Sequence, residues 1–234
     1  CGRGEWLNKC LSFGFDPIGI DENIYMTRDC EDKGIKIIQK DIFEALEQLP
    51  ERSFSIISAF HLVEHLTHDQ IDRLLIQCQR LIDDKGILII ETPNIDNLLV
   101  SSRSFYLDPT HITPINPDWL LFKLNEIGFN GEYFMINGNN NFSNHPRNLL
   151  SIFDGVAQDL LVITSRSKDV REKLFTDKNQ WINFLKHSLS TRESAKYFDD
   201  TYQKYTEEIF ILKKKLLFLE HQNKLLERKM IILD

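Results

Sequence analysis

The stretch HLVEHLTH sets His61, Glu64, His65 and His68 at i, i+3, i+4 and i+7. If it opens a helix after a strand, that spacing puts all four side chains on one face. A fifth residue of the same kind, His111, follows in YLDPTHITP. Imidazoles beside a carboxylate have two ordinary uses. They cap and solvate a helix start, or they do chemistry, as a proton acceptor near neutral pH or as ligands to a divalent metal. Between a metal-free base (His111 or His65) and a metal, the residues alone do not choose.

A second set of residues is spaced for a nucleoside. The chain opens CGRGEWL, where Gly2 and Gly4 can make a tight turn and a helix near Glu5 would present free N–H groups. Asp21 closes GID, where a carboxylate at a strand end can accept both ribose hydroxyls. In KDI, Asp41 can accept an adenine amino proton and Ile42 can cover the ring. A turn of this kind needs a strand feeding it, and the sequence starts on the turn itself. The expectation is that residues precede Cys1, and that the chain is incomplete at both ends.

The elements that must hold these groups alternate. PIGID, IKIIQKD, FSIISAF, GILIIETP and DLLVITS are short apolar runs, the longer ones continuous enough for strands buried on both faces. Helical patterns lie between them, in GEWLNKCLSFG, NIYMTRDCEDKG, ALEQL, QIDRLLIQCQRLIDDKG and PDWLLFKLNEIG. The order implies a doubly wound α/β sheet. GEYFMIN and DLLVITS, joined by the asparagine-rich GNNNFSNHPRN, should pair antiparallel. SFYLDPTHITPINPDWL reads as a loop past the strand ends, where acceptors sit in open α/β sheets; Tyr106 and Asp108 there can meet a sugar or simply pack the loop.

From Ser167 the strand signal ends. Residues 167–200 read as a helical connector and 201–234 as a coiled coil. Tyr202, Tyr205, Ile209, Leu212, Leu216, Leu219, Asn223, Leu226, Met230 and Leu233 step by three and four without a break. Glu208 with Lys213, Lys215 with Glu220, and Lys229 with Asp234 are opposite charges at the flanking positions of a parallel pair. Parallel self-association follows, as a dimer or a trimer, with Asn223 favouring two strands.

Composition narrows the class. The chain has 234 residues, 42% apolar, with a net charge of −7, which gives no basic footprint for nucleic acid. Cys1, Cys10, Cys30 and Cys78 are scattered with no C-x-x-C, so a disulfide or zinc framework is not indicated and a cytoplasmic setting is expected. No run nears the ~20 apolar residues of a transmembrane helix.

Taken together, Cys1–Gly4, Asp21, Asp41–Ile42 and the stretch after FSIISAF resemble the class I S-adenosylmethionine-dependent methyltransferases, over residues 1–166. The resemblance implies a Rossmann-like, mostly parallel seven-stranded sheet, with its first strand missing here. It also implies S-adenosylmethionine as cofactor, bound by Cys1, Gly2, Gly4, Asp21, Asp41, Ile42 and Phe60. A NAD-dependent Rossmann enzyme would want G-x-G-x-x-G, and position 7 is Leu. HLVEHLTH is similar to the E-x-x-E-H stretch of ubiquinone-biosynthesis O-methyltransferases and small-RNA 2'-O-methyltransferases, which add a histidine after a T-x-N; here ETPN precedes His111. That likeness maps Glu64, His65 and His111 onto metal ligands, with His61 where those families carry glutamate. A ligand set this rich in imidazole favours Mn, Fe or Zn over Mg.

The run ETPNIDNLLVSSRSFYLDPTHITPINPDWLLFKLNEIGF is similar to methyltransferases of bacterial surface-polysaccharide (O-antigen or capsule) gene clusters. This implies O-methylation of a glycan, at a sugar hydroxyl or a terminal phosphate, as a chain-capping step. It further implies a glycosyltransferase as partner and a cytoplasmic place at the inner membrane. The alternatives are an O-methyltransferase for an aromatic acceptor, and a scaffold whose methyltransferase domain has lost its activity.

Overall fold

Strands form where the sequence carries its short apolar runs. The computed structural model describes residues 1–31, 33–138, 156–176 and 190–231. Among these residues there are six strands: β1 (Ile18–Ile20), β2 (Lys36–Ile38), β3 (Phe54–Phe60), β4 (Ile82–Pro93), β5 (Asn130–Ile136) and β6 (Asp159–Ser165). The helices are α1 (Glu5–Ser12), α2 (Ile24–Glu31), α3 (Ile42–Gln48), α4 (His68–Leu81), α5 (Leu98–Ser102), α6 (Pro117–Glu126), α7 (Lys168–Phe175) and α8 (Thr191–Ile231). Short 3₁₀ turns cover Val63–His65 and Ser104–Leu107. Most of the asparagine-rich loop, the later part of the connector and Leu233 lie outside the described residues, as do the side chains of Leu226 and Met230.

The expectation of one seven-stranded sheet, its first strand missing, needs correction in one respect: the six strands among the described residues form two sheets, within which all but β6 run parallel. β1 and β2 pair in parallel as a two-stranded sheet, and the other four strands form a mixed sheet in the order β3-β4-β6-β5. β3 and β4 are parallel, whereas β6 runs antiparallel to both of its neighbours. The antiparallel pairing comes from the return of the chain: β6 inserts between β4 and β5 with Pro93 opposite Asp159 and Ile87 opposite Ser165. The antiparallel pairing expected for β5 and β6 is present. The two sheets are bridged by Trp6 of α1, whose Nε1 donates to Ser58 Oγ of β3 at 3.0 Å.

Period-two alternation divides the core. Leu88, Ile90, Leu160 and Val162 face α3, α4 and α6, packing on Phe43, Leu46, Ile71, Leu74, Leu75, Leu120 and Leu124. The intervening Leu161 and Ile163, with Phe134 and Ile136, face the other way and are covered by Leu174 and Phe175 of α7. Each fully buried aliphatic side chain contributes about 1.5–3 kcal/mol, so the first cluster carries most of the stability. Arg171 ties α7 down through Nη1 bonds to the carbonyls of Ser165 (2.8 Å) and Arg166 (2.9 Å).

Helix starts follow local chemistry. Thr67 and Gln70 form a reciprocal capping box, so α4 begins at His68. This corrects the expectation that HLVEHLTH opens one helix with four side chains on one face. His61 precedes the 3₁₀ turn in the left-handed region (φ 48°), and His68 heads a separate helix with its ring 5.1 Å from that of Trp119. α8 is held at its start, where Thr191 Oγ1 donates to the Asp96 carbonyl and Ser194 is buried; from Tyr202 to Leu225 every residue is exposed. No helix among the described residues is long and apolar enough to cross a membrane.

Candidate functional site

Gly2 and Gly4 both have positive φ (55° and 76°), and Gly4 is the N-cap of α1 without a side-chain cap. A Cβ at Gly4 would lie 2.6 Å from Cys30 Sγ, so this position needs glycine both for its dihedral and for its neighbour. Asp21, just past β1, braces the turn. Its Oδ2 accepts from Gly2 N (2.9 Å) and Cys1 N (2.7 Å), and its Oδ1 accepts from Asn23 N (3.0 Å). Burial works against its charge, but these donors outweigh it and hold the carboxyl below the usual range. Asp41 sits just past β2 and caps α3, accepting from Phe43 N and Glu44 N, with Ile42 opening the helix. Phe60 ends β3, and its ring meets Trp6 edge-on at 5.4 Å. The glycine turn and the acidic strand ends thus lie at the carboxyl edges of parallel strands, and α1 joins this edge to β3.

Beyond Phe60 the chain builds a second group from two distant segments. Ile112 N and Thr113 N both donate to the Glu64 carbonyl (2.8 and 3.0 Å), and Thr113 Oγ1 donates to the Leu66 carbonyl (2.6 Å). These bonds clip the loop before α6 onto the 3₁₀ turn and bring His111 to Glu64 and His65. One ligand-capable atom from each of the three lies within 4.8 Å of the others. The imidazole rings of His65 and His111 meet edge-on at 4.8 Å.

The partners of each ring fix its tautomer. His111 Nδ1 is 2.7 Å from the Phe105 carbonyl, which can only accept, so Nδ1 carries the proton and Nε2 keeps its lone pair. His65 Nδ1 faces the Thr110 carbonyl (3.2 Å) and Thr110 Oγ1 (2.9 Å); that hydroxyl already donates to Asp108, so His65 Nδ1 is again the donor. Glu64 is fully buried, with Oε2 accepting from Thr92 Oγ1 (3.0 Å) and Oε1 from His61 Nδ1 (3.1 Å). Ring nitrogens pinned by carbonyls and a carboxylate braced by a hydroxyl are how proteins orient metal ligands. The donor set, two imidazole nitrogens and one carboxylate, suits Mn, Fe or Zn better than Mg.

His61 touches this group through Glu64, but its other nitrogen belongs elsewhere. Nε2 points at Glu91 (3.5 Å) and Asp159 (3.9 Å), a second cluster of ligand-capable atoms. The hydrogen bonds to Glu64 and Glu91, with the charge of Asp159, push its pKa up to about 10 against the effect of burial. Sequence reasoning placed His61 with Glu64, His65 and His111 and did not include Glu91, Asp159 or Thr92. Asp159 had no signal of its own in the sequence, because only the antiparallel insertion of β6 carries its first residue to the end of β4. Burial raises the Asp159 pKa, with Asn137 and His61 opposing.

A cavity of about 150 Å³ adjoins the group, between Pro93, Val100, Ser104, Phe105, His111, Gln158 and Asp159. Its lining combines apolar side chains with an imidazole, a carboxylate, an amide and a hydroxyl. Tyr106 and Asp108 sit outside it; Tyr106 is 65% exposed, and the side chain and N–H of Thr110 hold the Asp108 carboxyl below its usual range.

Comparison with known proteins gives the family and the fold. The family model described as a methyltransferase domain matches residues 1–132. Among solved structures, an S-adenosylmethionine-dependent methyltransferase from Archaeoglobus fulgidus is 28% identical, with TM-score 0.63, covering 70% of this chain and 82% of that one. An S-adenosylmethionine-dependent methyltransferase from Mesorhizobium loti is 16% identical (TM-score 0.53, 70% and 87% covered), and one from Methanosarcina mazei is 15% identical (TM-score 0.53, 70% and 88% covered); both share the fold. No curated protein sequence gives a significant match. With more than half of its length matched, the chain belongs to the methyltransferase-domain family and is an S-adenosylmethionine-dependent methyltransferase.

Proposed function

We propose that residues 1–166 move the methyl group of S-adenosylmethionine to an oxygen, a sugar hydroxyl of a bacterial surface glycan, with Glu64, His65 and His111 holding a divalent cation. The observation that carries this is the convergence of the three groups, with both Nδ1 atoms tied to carbonyls and both Nε2 atoms left with lone pairs. Cys1, Gly2, Gly4, Asp21, Asp41, Ile42 and Phe60 line the donor edge in this reading. When bound, a cation lowers the pKa of an acceptor hydroxyl and makes it a nucleophile at neutral pH.

In the transfer the acceptor hydroxyl, with its pKa lowered, gives its proton to solvent, and its oxygen bonds to the methyl carbon while the C–S bond breaks. The sulfonium keeps the electron pair and leaves as a neutral thioether. In-line placement at about 3 Å supplies much of the rate, so the walls of the cavity matter as much as the deprotonation. The charge around the cavity supports a neutral acceptor. Asp159 lines it, Glu64 and Glu91 lie behind His61, and no Lys or Arg is among its described lining residues. A terminal phosphate would meet Asp159 first, and the protonated His61 beyond it is already held between Glu64, Glu91 and Asp159. The polysaccharide assignment, the cytoplasmic setting and a glycosyltransferase partner rest on the resemblance of residues 91–129.

A second reading has its own support. Of the three converging residues only His111 lines the cavity, so its Nε2 can take the hydroxyl proton without a metal. The test is transfer of radiolabelled methyl to a panel of neutral oligosaccharides, with and without chelator, beside His111→Ala. Chelation should abolish transfer and Mn²⁺ should restore it. His111→Ala should lower turnover by about 10²–10⁴ with cofactor affinity unchanged. Transfer that ignores chelator removes the cation and leaves the base. Turnover that survives His111→Ala removes both.

A further inference from the structure

We infer that the outer part of α8 is a seam for a second copy of this chain, formed in parallel and in register through Tyr202, Tyr205, Ile209, Leu212, Leu216 and Leu219. The helix is anchored only at its start. Ser190 and Glu193 cap it reciprocally (2.8 and 3.2 Å), Thr191 bonds Asp96, and Ser194 is buried against the domain. Past Thr201 it makes no burying contact with any described part of its own chain, and Ile209, Leu212, Leu216 and Leu219 are 52–61% exposed. Helices in proteins owe most of their stability to packing of an apolar face, and this face has no cover within the described chain.

The helix carries a second apolar stripe, Phe210, Ile211, Leu217, Phe218 and Leu225, also exposed. At 3.6 residues per turn it lies on the side opposite the first. The two stripes differ in what runs along their centres. Glu207, Lys214 and His221 lie in the middle of the second stripe, so a helix docked there would desolvate a charged or polar group at every second turn. The first stripe has no charged residue along its centre from Tyr202 to Leu219, and one polar residue, Asn223, follows.

Charge at its borders decides the occupant. In a parallel pair Glu208 meets Lys213 of the partner subunit, and Lys215 meets the partner's Glu220, so each contact is matched by its symmetry mate. Asn223 then faces its own copy and satisfies its amide there. Any staggered or antiparallel placement would set that amide against an apolar residue. A second copy therefore fits this face better than an unrelated helix would.

The full chain should sediment as two or three copies at micromolar concentration. Leu212→Glu with Leu219→Glu should reduce it to one copy with an unchanged thermal transition of the domain, because both residues are far from its core. Phe210→Glu with Leu217→Glu should leave the assembly intact. Leu219→Cys, in a chain also carrying Cys1→Ser and Cys10→Ser, should form a disulfide between copies on oxidation. A wild-type chain that sediments as a monomer overturns the seam, as does dissociation by the Phe210/Leu217 pair alone. An assembly in which Leu219→Cys fails to cross-link overturns the parallel register.

Discussion

Thr92→Val tests whether the buried Glu64 carboxylate is held for the site. Thr92 lies within β4, opposite Leu160, and both it and Glu64 are fully buried. Its hydroxyl donates to Glu64 Oε2 at 3.0 Å, while the other carboxylate oxygen keeps its bond to His61. Valine has nearly the same shape and suits a strand equally well, so the exchange removes one donor to a charged acceptor and little else. A hydrogen bond of that kind is worth about 1.5–3 kcal/mol, and a buried acceptor left short of a donor keeps its desolvation cost. For a chain of this size that corresponds to a fall in Tm on the order of 3–12 °C. Loss of an outer partner of a ligating group typically costs 10–100-fold in metal affinity or activity. The assays are calorimetric melting and the Mn²⁺ dependence of methyl transfer. Thr92→Ser, which restores the hydroxyl, separates positioning from packing by recovering both. If Thr92→Val melts and turns over like the parent, Glu64 is not braced for the site and the reasoning fails.

Two other perturbations probe the donor edge. Asp21→Ala removes the acceptor of Gly2 N and Asn23 N, so affinity for S-adenosylmethionine should fall by about tenfold or more, at ~1.4 kcal/mol per decade; unchanged affinity in a calorimetric titration would place the cofactor elsewhere. Gly4→Ala forces a left-handed backbone on alanine, costing about 1–2 kcal/mol, and drives its Cβ into Cys30 Sγ. Urea unfolding should show the loss at Gly4, whereas Gly2→Ala, with open space around its Cβ, should lose only the backbone part.

Much of the fold was legible because its signals are local. Each apolar run became a strand, Asn116 and Pro117 start α6 as a cap and first-turn proline should, and Gly128 follows the helix with positive φ. The start of α4 was also written in the chain, in Thr67 and Gln70, but the histidine spacing across it suggested a longer helix. A capping box outranks a pattern of polar residues, because it satisfies free N–H groups at a defined place. The groups that escaped depend on contacts between distant segments. Thr92 looks like any strand threonine until Glu64 is folded under it. The second stripe of α8 hides behind the heptad because periodicity finds one seam at a time.

Placement of the cavity wall follows from two buried asparagines just after β4. Asn94 Nδ2 donates to the Ala157 carbonyl (3.0 Å), Asn94 N to the Gln158 carbonyl (2.9 Å), and Asn97 Nδ2 to the carbonyls of Val156 (3.3 Å) and Ala157 (3.2 Å). Asn97 Oδ1 meanwhile caps α5 through Leu99 N and Val100 N. One short segment therefore fixes the entry of β6, with Gln158 and Asp159, and the helix that brings Val100 to the cavity. Both asparagines are fully buried, so water does not compete for these bonds, and their geometry is set by the chain alone. The polar groups of the cavity sit far apart in sequence; backbone carbonyls hold Ser104, His111 and Gln158, and the Asn137 side chain donates to Asp159. Such a wall keeps its shape while the side chains that face the cavity vary, so the fold can stay fixed while what the cavity admits changes.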